Sequence, residues 1–290
     1  MEKPTILVTG SNGQLGQELQ QIAPQFPNYH FIFTSREELP FTNQSLLRNR
    51  LHQMRPAYII NCAAYTAVDK AETDSEMAFE VNASAVSTLA QYCVAASCKL
   101  VHISTDYVFD GNSPLAYLET DAVNPVNTYG ASKLLGEQMC MERSSDAVII
   151  RTAWVYSAFG NNFVKTMLRL MKDRASINVV SDQVGAPTYA ADLALSIMQI
   201  VTSPEWVPGI FHYSNTGRIS WFDFATAIKT KTGSACIINP VPATSYPTPA
   251  KRPSFSLLDT GKIRNIYKLQ IPNWNLSLDK CLARLTADVD

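Results

Sequence analysis

The segment Thr5–Leu19, TILVTGSNGQLGQEL, runs a β-favouring stretch into Gly10, Gly13 and Gly16 and then into an amphipathic run. Glycines permit a tight turn and let backbone approach whatever lies beyond the strand end. The helix that follows offers its N–H groups and the positive end of its dipole to an anion. A glycine triplet by itself is equally a plain turn between a strand and a helix. Its place at the first such junction of a longer series makes it a pyrophosphate cradle, with Gly10, Asn12, Gly13, Gln14, Leu15 and Gly16 as the cofactor-binding candidates.

That series continues downstream. HFIFTS (30–35), AYIIN (57–61), KLVHIST (99–105) and AVIIRT (147–152) read as strands. Between them lie helical patterns: QLGQELQQIA stopped by Pro24, NQSLLRNRLHQM stopped before Pro56, a long run over 75–97, and the segment carrying Tyr129 and Lys133. Strands that are apolar throughout, alternating with helices, predict an α/β fold: a doubly wound parallel Rossmann sheet covered on both faces. This domain is expected over residues 1–155. Beyond it the elements shorten and prolines gather between Pro240 and Pro253, which predicts a smaller C-terminal substrate-binding lobe over 156–290. The helical pattern and strand within 189–215 are expected to fold back onto the first domain.

The 290 residues are 46% hydrophobic and 17% charged, with a formal charge of -1 and a pI near 6.4. That balance gives no basis for a nucleic-acid or anionic-membrane partner. No apolar run approaches the ~18 residues of a membrane span, and the first residues, MEKPTILVTG, have no signal-peptide layout. The six cysteines form no C-x-x-C pair and no zinc spacing, so free thiols in a reducing cytoplasm are expected.

Strand ends carry the remaining candidates. After the second strand, Thr34, Ser35 and Arg36 stand where an NAD-selective site often has an acid. Ser35 and Arg36 suit a 2′-phosphate, which points to NADPH with NADH as the second possibility; Arg36 reads otherwise as a solvated surface residue. Ala63, Ala64 and Tyr65 leave the third strand, small enough at the first two positions for backbone to pass close to a cofactor. Thr105 ends the fourth strand, where open α/β sheets bind ligands. Tyr129 and Lys133 are one helical turn apart on a shared face. A free phenol has a pKa near 10, and a cation about 4 Å away contributes roughly 4 kcal/mol at an effective dielectric of about 20. The expectation is a Tyr129 phenol lowered toward neutrality by Lys133 and usable as an acid.

The glycine loop together with STDYVFDG (104–111) and YGASK (129–133) resembles the extended short-chain dehydrogenase/reductases. Longer runs extend the resemblance in order from about residue 5 to 280, among them PVNTYGASKLLGE (125–137), RTAWVYSAFGNNFVKTML (151–168), DQVGAPTYAADLA (182–194) and YPTPAKRPSFSLL (246–258). The resemblance implies NAD(P)H-dependent reduction of the C4 ketone of dTDP-6-deoxy-L-lyxo-4-hexulose to dTDP-L-rhamnose. It implies that Tyr129 protonates the emerging alkoxide, Thr105 bonds the carbonyl oxygen, and Lys133 tunes Tyr129 and holds the cofactor ribose. It further implies that Asp106 contacts the sugar and Trp154 the dTDP portion. Asn162 and Arg252 are candidates for the diphosphate. Beside these stand plainer readings: Trp154 in a core, Asn162 in a turn, Arg252 at the surface.

The chain departs from the family pattern at Pro40, where members often carry an acid. Some members bridge a homodimer through acidic residues and magnesium. Glu18 fits one ligand position but Ala191 occupies another, so no metal is predicted. Related dehydratases carry an acid at the position of Tyr107. A sugar-nucleotide epimerase and a non-catalytic NADP-binding regulatory subunit remain as alternatives to the reductase.

Overall fold

The computed structural model describes residues 3–287. Six parallel strands form its central sheet: β1 Thr5–Thr9, β2 His30–Thr34, β3 Tyr58–Asn61, β4 Lys99–Thr105, β5 Val148–Thr152 and β6 Gly209–Tyr213. Their spatial order is β6-β5-β4-β3-β1-β2, so the chain reverses direction across the sheet between β1 and β3. Ligands of open α/β sheets bind at such a reversal, outside the carboxyl ends of the strands. The glycine turn after β1 and the Ala63–Tyr65 segment after β3 flank that point.

Two cores follow from the alternation of side chains along each strand. Ile6, Val8, Ile60 and Val101 face one side, against Leu15 and Leu19 of helix α1 (Gln14–Ile22) and Leu193 and Ile197 of the helix Ala190–Val201. Leu7, Ile59 and Leu100 face the other, against Leu47 and Leu51 of α2 (Gln44–Met54) and Leu89 of α3 (Ala85–Ala96). Helix α4, Thr128–Arg143, packs on this second side and begins on an Asn127 cap whose side chain accepts from the Gly130 N–H.

β6 pairs with β5 from Gly209↔Val148 to Tyr213↔Thr152. The later chain returns further than the sequence pattern suggested, because Ile263 and Leu269 also bury their side chains in the first core. Their signal is a short helix, Gly261–Tyr267, whose apolar face is too brief to read as a periodicity. A separate core of Tyr156, Val164, Met167, Phe224, Ile228 and Leu278 holds the remaining elements together. All six cysteines are free, and among the described residues no helix is long and apolar enough to cross a membrane.

Candidate active site

A cleft of about 720 Å³ opens over the carboxyl ends of the strands, inside the ~300–1,000 Å³ range of ligand pockets. One wall is the glycine turn. Gly10 has φ +66, and a Cβ there would stand 2.7 Å from the Ala63 nitrogen, so the backbones leaving β1 and β3 touch. A Cβ on Gly16 would stand 2.4 Å from the Gly10 oxygen, which locks α1 against the turn. Gly13 caps α1 without any side-chain hydrogen bond. The first amides of the helix therefore face the cleft uncapped, a ready anion site.

Asn12, Gln14, Leu15, Ser35, Arg36, Ala63, Ala64 and Tyr65 line the same cleft. Arg36 is exposed at its edge. Ser35 is engaged locally: its N–H donates to the Glu38 carboxylate at 2.7 Å. Pro40 stands in the adjoining wall and presents a pyrrolidine ring without charge there. The Ala63–Tyr65 segment is clamped by Asn82, which accepts from the Tyr65 N–H at 2.9 Å and donates to the Tyr65 carbonyl and to Ser132. Asn82 sits in a π-helical turn, Glu80–Ser84, where the extra residue per turn breaks the helical register; π-turns gather at functional sites.

Thr105, Asp106, Tyr129 and Lys133 meet at the cleft floor. The Thr105 hydroxyl donates to Asp106 at 3.1 Å and lies beside the Tyr129 phenol. Asp106 is buried with its Oδ2 unpartnered, and burial pushes its carboxyl up to about 6. Tyr107 packs edge-on to Tyr129, ring centroids 5.6 Å apart.

The expected lowering of Tyr129 by Lys133 is not what this arrangement gives. Burial pushes the phenol up to about 12; the Thr105 hydroxyl opposes that rise and the Asp106 carboxylate adds to it. The reason is geometric. The Lys133 ammonium is drawn to the Ile103 carbonyl, to which it donates at 2.7 Å. Burial pulls Lys133 down to about 8, opposed by the Glu137 carboxylate one turn further along α4. One N–H of the ammonium is used, and two remain.

Trp154 lines the cleft in the left-handed region, φ +48, and stacks on Trp221 at 3.6 Å between centroids. Such a conformation in a bulky residue costs about 1–3 kcal/mol and persists where the surroundings hold it. Trp221 escaped the sequence reading. It opens the helix Trp221–Thr232 with no motif around it, and only the fold brings it to Trp154.

Asn162 and Arg252 lie outside the cleft lining. Asn162 fits the plainer reading, a turn residue. Its side-chain oxygen caps the helix Phe163–Asp173 by accepting from the Lys165 N–H, and its side-chain amide donates to Gln14 Oε1 at 2.9 Å and to the carbonyls of Ser157 and Phe159. Its side-chain amide is thus already engaged within the fold rather than turned to a diphosphate. Arg252 forms a two-point ion pair with Asp69, at 2.8 and 3.1 Å, and a third bond to the Ala250 carbonyl. Its Nε–H side makes none of these bonds.

Glu18, the position compared with a magnesium ligand, is buried and accepts from Arg284 at 2.6 Å and Ser157 at 2.5 Å. Among the described residues no cluster of three or more His, Cys, Asp or Glu is placed to hold a metal.

The family model described as RmlD substrate binding domain matches residues 4–287. The chain belongs to that family. Its curated relatives include the dTDP-4-dehydrorhamnose reductase of Aggregatibacter actinomycetemcomitans, 39% identical over 94% of this chain and 96% of that one. The dTDP-4-dehydrorhamnose reductase of Escherichia coli K12 is 39% identical over 97% of each chain. A crystal structure of the Bacillus anthracis dTDP-4-dehydrorhamnose reductase in complex with NADP superposes with a TM-score of 0.93, covering 98% of this chain and 100% of that one at 39% identity. Similarity to these dTDP-4-dehydrorhamnose reductases thus spans the central sheet and the later elements together.

Proposed function

We propose that this chain is an NADPH-dependent dTDP-4-dehydrorhamnose reductase, which converts dTDP-6-deoxy-L-lyxo-4-hexulose to dTDP-L-rhamnose. The observation that carries the reading is the meeting of the Thr105 and Tyr129 hydroxyls on the floor of a cleft whose wall is the glycine turn. Full-length similarity to reductases, one of them crystallised with NADP, supports the cofactor and the substrate class.

The residues present fit a dinucleotide. The uncapped start of α1 receives the pyrophosphate, on a turn that Gly10 and Gly16 allow to close tightly against Ala63 and the helix. Arg36, beside Ser35, offers a guanidinium to the 2′-phosphate. Ala63 and Ala64 leave room beside the cofactor, and Tyr65 borders it. The two unused N–H groups of Lys133 hold the nicotinamide ribose hydroxyls. Bound NADPH supplies a hydride to the sugar C4.

On the substrate side, the Thr105 hydroxyl bonds the C4 carbonyl oxygen and Tyr129 gives its proton to the oxygen as negative charge develops there. A phenol near 12 keeps its proton until that moment, and is a matched donor to an alkoxide, whose conjugate acid is weaker still. Asp106 contacts the sugar hydroxyls with its unpartnered oxygen. Trp154 stacks on the base of the dTDP portion. Arg252 turns its Nε–H side to the diphosphate while Asp69 holds the opposite edge. Asn162 acts at one remove, by fixing Gln14 of the glycine turn.

The proposed place of work is the cytoplasm, in keeping with six free thiols. Homodimer formation through a metal at Glu18 would first have to break its ion pair with Arg284.

The test is direct. The purified chain alone, given NADPH and the enzymatically generated 4-keto sugar nucleotide, should oxidise NADPH and yield dTDP-L-rhamnose. NADP binding without turnover would instead favour the regulatory-subunit reading.

A further inference from the structure

Behind the catalytic floor lies a buried ion pair, Glu137 and Arg151, that touches the cleft lining through Ser104. Glu137 follows Lys133 by one helical turn on α4 and is buried. Its carboxylate accepts from Arg151 of β5 at 3.0 Å (Nε) and 2.7 Å (Nη2), and from the Ser104 hydroxyl of β4 at 2.5 Å. Ser104 immediately precedes Thr105. Arg151 Nη1 is buried without a partner, and the guanidinium lies over the Phe109 ring at 5.1 Å.

A buried ion pair is a weak device for stability, because desolvation of two charges offsets their attraction. An apolar pair of the same size would hold α4 on the sheet at least as well. The position of this one is informative. Lys133 is buried as well, and its ammonium bonds a neutral carbonyl. The groups that face it from each packed element are few. Cys62, after β3, is a thiol pushed up by burial, and His102 of β4 is held neutral by burial. Tyr129 on α4 itself is neutral and Asp106, past the end of β4, acts on Tyr129. Arg151 of β5 bonds Glu137 and is not among the groups that act on Lys133. Glu137 is left as the carboxylate whose charge acts on Lys133.

We propose that Glu137 is a positioning residue for the reduction: fixed between Ser104 and Arg151, it keeps the buried Lys133 charged and so able to hold the cofactor ribose. The proposal rests on the role given to Lys133 above. Removing the anion favours neutral Lys133, so the loss of activity at alkaline pH must move to lower pH.

The experiment compares wild type, Glu137→Gln and the double variant Glu137→Gln/Arg151→Met. Two quantities are read: the alkaline limb of kcat, and the titration of the Lys133 amine by ¹⁵N NMR in the NADP-bound protein. Glu137→Gln leaves Arg151 buried and unpaired, so it should lower the melting temperature; the double variant, with neither member of the ion pair left, should recover it. Both variants should move the alkaline limb and the Lys133 titration down by about 1 pH unit or more. Recovery of stability without recovery of the limb supports the electrostatic role. A limb and titration at the wild-type position in the double variant overturn it and make the cluster purely structural. A displaced Lys133 titration with an unmoved limb supports the action of Glu137 on Lys133 and overturns instead the part of Lys133 in the reaction. The double variant carries the test if Glu137→Gln fails to fold.

Discussion

Trp154 and Trp221 stack with ring centroids 3.6 Å apart and planes 11° apart. One face of Trp154 is thus covered by the first residue of the helix Trp221–Thr232 while the residue still lines the cleft. Trp154→Ala should weaken binding of the dTDP-sugar, since stacking on a base contributes about 1–3 kcal/mol, and should leave the NADPH Kd unchanged. Trp221→Ala removes the support and should weaken the same ligand to a lesser degree. Calorimetric titration with dTDP and with NADPH separates the effects. Equal losses for both ligands, or a large fall in melting temperature alone, would return Trp154 to the core.

Arg36 stands exposed at the cleft edge, past the end of β2. A charged hydrogen bond contributes about 1.5–3 kcal/mol, so Arg36→Ala should raise the NADPH Kd roughly 10- to 150-fold. NADH lacks the phosphate and should bind as before, and kcat at saturating cofactor should hold. Equal losses for the two cofactors would assign Arg36 to the adenine or the fold.

Asp106 gives a prediction in which stability and activity move in opposite directions. Burial raises its carboxyl from the ordinary 3.8 to about 6. The folded state therefore holds the proton more tightly than the unfolded chain, and stability falls as pH rises from about 4 through 6. The gap corresponds to about 3 kcal/mol at neutral and alkaline pH. Asp106→Asn should unfold at a higher denaturant concentration than wild type at pH 8, with the difference gone by about pH 4, while its turnover falls. A variant less stable than wild type at pH 8 would show that the carboxylate is better solvated than its burial indicates.

The parallel sheet was legible because its strands are apolar on both faces, and the glycine turn because only glycine allows the Gly10 backbone to lie against Ala63. Thr105, Tyr129 and Lys133 were legible from strand end and helix spacing, and the structure brings them to one floor. What Lys133 does to Tyr129 was not legible. Spacing gives the shared helix face, but the Ile103 carbonyl that draws the ammonium away lies on β4, outside that helix. Asn162 illustrates the same limit. Its partner Gln14 stands far away in sequence, and only the closed fold shows that its amide is already used. Trp221 and the Glu137–Arg151 pair carry no local pattern at all; each becomes visible through its neighbour in space.

The most direct test of the account follows the hydride and the proton together. The protein is supplied with NADPH deuterated at the transferable position of nicotinamide C4, and with the 4-keto sugar nucleotide. Wild type should place deuterium at C4 of the 6-deoxyhexose. Tyr129→Phe loses one hydroxyl on a buried ring. It should fold, bind NADPH as before and place the same label at a rate at least ~10²-fold lower, the scale of general-acid loss. Label at another carbon, absence of label in the wild-type product, or an undiminished rate in Tyr129→Phe would contradict it.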